Sequence, residues 1–177
     1  MGVTTTELLI GVAIALLLGG TLAFVFWKQR KEAASSIKGQ KETSQYALNL
    51  QVQAYERLIL LTERIALPNL ISRVSQPGMS ARDMQFMLTN TIRQEYEHNV
   101  TQQMYVSQQS WDAVKNLKEQ NIHIINQVAS FLPVDATGND LNKALLDMLV
   151  QHPNSALHNV VSDVLNYEAR RIMNLPQ

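Results

Sequence analysis

Twenty consecutive residues, Leu8 to Trp27, carry no charge, and this run constrains the chain more than any other feature. A helix rises about 1.5 Å per residue, so the run reaches roughly 30 Å, the thickness of a bilayer's hydrocarbon core. It holds six Leu, two Ile, two Val and two Phe. At ~0.3–0.6 kcal/mol each, these favour insertion by roughly 4–7 kcal/mol, an upper figure because Gly and Thr reduce it. Trp27 stands at the edge, where an amphipathic ring prefers the interface. A cleaved secretory signal needs a positive leader, a shorter apolar core and a small-residue cleavage site. Met1–Glu7 has no Lys or Arg, and the run ends in Phe24-Val25-Phe26-Trp27-Lys28. The expectation is a permanent transmembrane helix over 8–27 behind a short extracytoplasmic segment, 1–7.

Charge orients that helix. Glu7 is the one charge before it, whereas Lys28, Arg30 and Lys31 follow it, with Lys38 and Lys41 close behind. The positive-inside rule then places the N-terminus outside and the large C-terminal portion in the cytoplasm of a bacterial inner membrane. The same five cations are candidates for contact with anionic headgroups, although their role as topology determinants accounts for them without it. Within the run Gly11, Ala15, Gly19 and Ala23 recur every fourth residue and share one helix face. Such a face admits a second helix backbone, although Gly and Ala are frequent in membrane helices anyway. The formal net charge of zero is a sum of unlike parts: residues 1–27 carry −1, residues 28–41 carry +4 and residues 42–177 carry −3.

Residues 28–47 hold too few apolar side chains for a buried stripe and read as a solvated juxtamembrane spacer. Beyond them the pattern is helical, and the expected fold class is all-α, a compact antiparallel bundle of about four to five helices over 48–175. One helix runs from Leu48 to Leu67 with Leu48, Val52, Tyr55, Leu58, Thr62 and Ile65 inward, stopped by Pro68. A short segment around Leu70–Val74 leads to the breaker Gln76-Pro77-Gly78, and Ser80 with Asp83 resembles a capping box that starts a helix reaching about Tyr105. Ser107 caps the next, whose stripe runs from Trp111 through Val114, Leu117, Ile122 and Ile125 to Leu132. Thr137-Gly138-Asn139-Asp140 opens another through Val150, and Pro153 introduces the last.

The helix from Ser80 holds the most interesting chemistry. Met84, Met87, Leu88 and Ile92 define its inward stripe, and extending that face brings Glu95, His98, Asn99 and Gln102 into it. An apolar stripe that turns polar needs partners, because a stranded buried polar group costs roughly 1–3 kcal/mol. One reading is a structural hydrogen-bonded cluster. The other is a pocket or metal site, since Glu95 and His98 have the Glu-x-x-His spacing of dimetal carboxylate bundles. That template requires a second Glu-x-x-His, and the sequence contains none. Glu119 and His123 fall away from the Trp111 stripe, and Glu56 and Glu63 border theirs. The absence of cysteine removes disulfides and thiolate chemistry. Arg57 and Arg64 point away from their helix's stripe and, with Arg170 and Arg171, are scattered cations; with the neutral overall charge this argues against nucleic acid. No phosphate-cradling loop or nucleophile elbow occurs. No catalytic residue, metal or cofactor is assigned.

The stretches Gln53-Ala54-Tyr55-Glu56-Arg57-Leu58, Glu63-Arg64-Ile65, Pro77-Gly78-Met79-Ser80-Ala81 and Ile92-Arg93-Gln94-Glu95-Tyr96-Glu97-His98-Asn99 carry a resemblance, extended by Gln102-Gln103, Tyr105-Val106-Ser107 and Trp111. They resemble an uncharacterised family of small single-pass membrane proteins from Bacteroidota with a cytoplasmic helical domain. The resemblance implies topology and lineage rather than a reaction. Together these readings lead to the expectation of a non-enzymatic, membrane-anchored interaction or assembly module. Its partners would be the lipid bilayer and another protein or a second copy. A ligand- or metal-binding bundle using Glu95 and His98, and an anionic-lipid-responsive adaptor, are the alternatives.

Overall fold

The computed structural model describes residues 26–31, 41, 43–151 and 157–173. It divides into two units, Met1–Ala47 and Leu48–Gln177. In the first, residues 26–31 and 43–47 are helical and Lys31 Nζ sits 5.3 Å from the centre of the Trp27 ring. The expected membrane run lies outside the described residues except for Phe26 and Trp27, which are exposed. The small-residue face at Gly11, Ala15, Gly19 and Ala23 lies outside them entirely, as does Lys38. Lys28, Arg30, Lys31 and Lys41 are exposed. No helix among the described residues is long and apolar enough to cross a membrane.

The second unit is all-α. Its helices are α1 (residues 48–65), α2 (Leu67–Val74), α3 (Ala81–His98), α4 (Gln108–Ser130), α5 (Gly138–Gln151) and α6 (Leu157–Ile172), with a 3-10 turn, Val100–Met104, between α3 and α4. The stripes read from the sequence face inward. Leu58 and Ile65 of α1, Met84, Leu88 and Ile92 of α3, Leu117 and Ile125 of α4, and Leu165 of α6 are all fully buried. Each such side chain contributes roughly 1.5–3 kcal/mol by leaving water. Gln85 near the start of α3 bonds Asn126 near the end of α4, while Tyr96 near the end of α3 stacks on Trp111 near the start of α4. Those two helices are therefore antiparallel. Tyr55 reaches Ser107 and Ile65 reaches Asn121, so α1 runs alongside α4 and opposite to α3.

Serine and threonine caps start three of these helices. Ser80 Oγ and Ser107 Oγ accept from the backbone N–H of Asp83 and Ser110, each at 3.2 Å. Thr137 completes a reciprocal box: its Oγ1 accepts from Asp140 N, and Asp140 Oδ2 accepts from Thr137 N. Ser107 has no acidic residue to close its box, and the phenol of Tyr55 accepts from its backbone N–H instead, at 3.1 Å. The Ser80 and Thr137 caps meet in a single antiparallel bridge. Ala81 N donates to Ala136 O and Gly138 N to Met79 O, at 2.9 and 2.8 Å. Gly78 turns the chain into this bridge at φ +81°, a conformation that suits glycine after Pro77.

Two boundaries differ from the sequence reading. Pro68 does not simply end a helix that reaches Leu67. The chain leaves helical geometry at Ala66 (φ −56°, ψ 126°) and restarts at once as α2, with Pro68 in a first turn that needs no N–H. The interruption frees three successive carbonyls, and a side chain caps each one. Asn69 Nδ2 donates to Glu63 O at 3.0 Å, Arg73 Nη2 to Arg64 O at 3.2 Å and Asn121 Nδ2 to Ile65 O at 2.8 Å. The extra helix makes six among the described residues of this unit, against the four to five expected. The second difference is that α3 stops at His98 rather than near Tyr105, so a single helical wheel does not extend to Gln102.

Candidate functional site

Of the four polar residues singled out, Glu95, His98 and Asn99 lie at the end of α3 and line a common groove, whereas Gln102 sits in the 3-10 turn beyond it. Glu95 has a side chain 16% exposed and turns towards α1 and α2. Arg64 donates to its Oε1 through Nε at 2.9 Å, and its Nη2 forms an ion pair with the same oxygen at 2.7 Å. Arg73 forms a second ion pair with that oxygen, its Nη1 lying 3.1 Å away. Arg73 also holds the Arg64 carbonyl freed upstream of Pro68, so one guanidinium ties the α1–α2 break to α3. The neighbours of Glu95 serve the helix terminus. His98 is exposed, and its Nδ1–H donates to Gln94 O at 2.7 Å, since a carbonyl can only accept. Asn99 Nδ2 donates to Glu95 O at 2.9 Å, because Asn99 N turns to Tyr96 O and leaves that carbonyl free. Gln102 is buried in the 3-10 turn beside Thr101.

The spacing that resembled half of a dimetal motif is therefore a helix end together with an ion-paired clamp. The carboxylate belongs to two arginines, and the imidazole is committed to its own helix. Among the described residues no group of three or more His, Asp or Glu side chains is placed to hold a metal ion. Glu119 and His123 are exposed, with Glu119 paired to Lys118 at 2.6 Å. Glu63 lies beside Asn69, and Glu56 faces a second groove, between α1 and α6, together with Arg170.

Beside the clamp, α1 and α3 leave a groove of about 570 Å³. Arg57, Leu60, Leu61 and Arg64 form its α1 wall, and Thr91, Gln94, Glu95, His98 and Asn99 its α3 wall. Sequence reasoning took Arg57 and Arg64 for scattered surface cations. Both lie off the apolar stripe as expected, yet the pairing of α1 with α3 turns them onto one surface. On the far side of α3, Tyr96 packs 5.1 Å from Trp111 and beneath Lys118, whose Nζ lies 4.5 Å from the ring centre. Burial, with the carboxylates of Glu119 and Asp112, raises the Tyr96 phenol above its ordinary range.

The fold and this end of the bundle define an all-helical domain whose polar residues build an interhelix clamp beside a cationic groove. The chain belongs to a family of unknown function, DUF7935, whose model matches residues 4–172. No curated protein and no solved structure matches it.

Proposed function

We propose that the protein is a single-pass membrane protein whose cytoplasmic helical bundle acts as an interaction or assembly module rather than an enzyme. The observation that carries this reading is the fate of Glu95. The residue best placed by sequence for chemistry is spent on Arg64 and Arg73, and the surface it helps to build is a groove with free polar and apolar side chains. The tether rests on the charge-free run 8–27 and the basic segment after it. A family match that runs unbroken over 4–172, spanning both that run and the bundle, supports reading them as one working unit. The metal-binding alternative is disfavoured by the arginine pairs on the Glu95 carboxylate. Site-directed photo-crosslinking in native membranes, with paired C-terminal reporters, tests the proposal. The expected result is discrete protein adducts from the bundle and activity of a cytoplasm-dependent reporter. Activity of a periplasm-dependent reporter overturns the orientation, and stoichiometric metal lost on Glu95→Gln overturns the non-enzymatic reading.

A further inference from the structure

We infer that the groove between α1 and α3 docks an acidic, amphipathic segment of a partner protein, with Arg57 as the anchoring cation. This deepens the interaction-module reading and rests on it. Arg57 is exposed, lines the groove and makes no ion pair among the described residues. Its guanidinium is thus open to an incoming carboxylate, which an arginine fork can grip with two hydrogen bonds. Arg64 and Arg73 share the single charge of Glu95, so with Arg57 the cluster carries +2. That charge stands out against the −3 of residues 42–177 and selects an anionic occupant. Because Glu95 already fixes Arg64 in place, its engagement costs little further side-chain ordering.

The groove also asks for an apolar contact. Leu60 lies on the same wall between the two arginines and is 57% exposed, with Leu61 buried behind it. A bare inorganic anion or a lipid phosphate would neutralise the arginines and leave Leu60 wet. A peptide segment with carboxylates and one aliphatic side chain satisfies both. The wall from Arg57 to Arg64 is about 10 Å long, two helical turns, which matches a short helix presenting acidic residues at i and i+7 with an apolar one between them.

The test places a photo-crosslinking phenylalanine analogue at Leu60 of the full chain in its native membrane, with Phe86 and Val160, exposed on α3 and α6, as reference positions. The expected result is a discrete protein adduct from position 60, mapped to a segment with at least two Asp or Glu within about two turns. Arg57→Glu should cut its yield about tenfold with an unchanged thermal midpoint, and Arg57→Gln serves if the reversal disturbs folding. An adduct to lipid, to a second copy of this chain or to a segment without acidic residues overturns the inference, as does a yield indifferent to Arg57. Adducts from 86 or 160 but not from 60 overturn the groove and leave the interaction-module reading standing. No adduct from any of the three removes both.

Discussion

Asn121 is a side chain whose loss should be costly for its size. It is 6% exposed on α4, and its Nδ2 donates to Ile65 O, a carbonyl freed by the break before Pro68. Asn121→Ala removes the donor and leaves that carbonyl without a partner beside the fully buried Ile65. Stranding a buried acceptor costs about 1–3 kcal/mol, and the small void raises the expected total to about 2–3 kcal/mol. For a domain of this size that lowers Tm by about 6–12 °C. Asn121→Asp is the sharper test, because it keeps the volume but replaces the donor by a carboxylate facing a carbonyl oxygen. It should cost more than Ala at pH 7. Its folded pKa should rise, so part of the stability returns below the ordinary aspartate pKa of ~3.9 and is lost as pH rises. Urea unfolding of the purified full chain, followed by far-UV circular dichroism, reads both. Gln120→Ala, an exposed neighbour, should fall within about 0.5 kcal/mol of the parent. An Asn121→Ala cost below about 0.5 kcal/mol, or an Asp variant no worse than Ala at pH 7, refutes the reasoning.

Three further outcomes are expected. Glu95→Ala leaves Arg64 and Arg73 facing each other; with both arginines a third to a half exposed, the cost is about 1–2 kcal/mol after screening and should shrink in about 1 M NaCl. A salt-independent cost measured by urea unfolding would contradict the electrostatic account. Gly138→Ala brings a Cβ to 3.2 Å from Met79 O and 3.3 Å from Met84 Cβ, and the bridge holds Met79 O in place, so a loss of about 1–2 kcal/mol is expected by the same measurement. Hydrogen bonds from Thr137 lower the Asp140 pKa, so the cap's contribution is present above the ordinary value of 3.8 and is lost as pH falls through the lowered one. Asp140→Asn should flatten that part of the acid limb in thermal melts between about pH 2 and 5.

The apolar stripes were legible because burial imposes the helical period directly on side-chain type. Trp111, Val114 and Leu117 on α4 could be read with no knowledge of their neighbours, and so could the caps at Ser80, Ser107 and Thr137. What escaped depends on contacts between segments far apart in sequence. Arg73 and Asn121 cap carbonyls 9 and 56 residues away, and nothing local marks them as donors. Pro68 was a partial signal, since its missing N–H implies that the Arg64 carbonyl must find another donor. The polar face on α3 extends to Gln102 only if one helix runs to Tyr105, whereas Asn99 ends it. With that end in place, His98 and Asn99 are terminal caps. Glu95 alone of the four reaches another helix through a charged contact.

The back-to-back caps have a consequence for how motion in the bundle can be observed. The first amides of a helix normally face water and exchange their protons freely. Ala81 and Gly138 are the first residues of α3 and α5, yet each donates its N–H across the bridge to the opposite strand of chain. Exchange at these two amides therefore requires the two helix starts to part, and fraying within either helix is not enough. Their deuterium uptake is a built-in clock for the undocking of α5 from α3, readable without a label or a substitution.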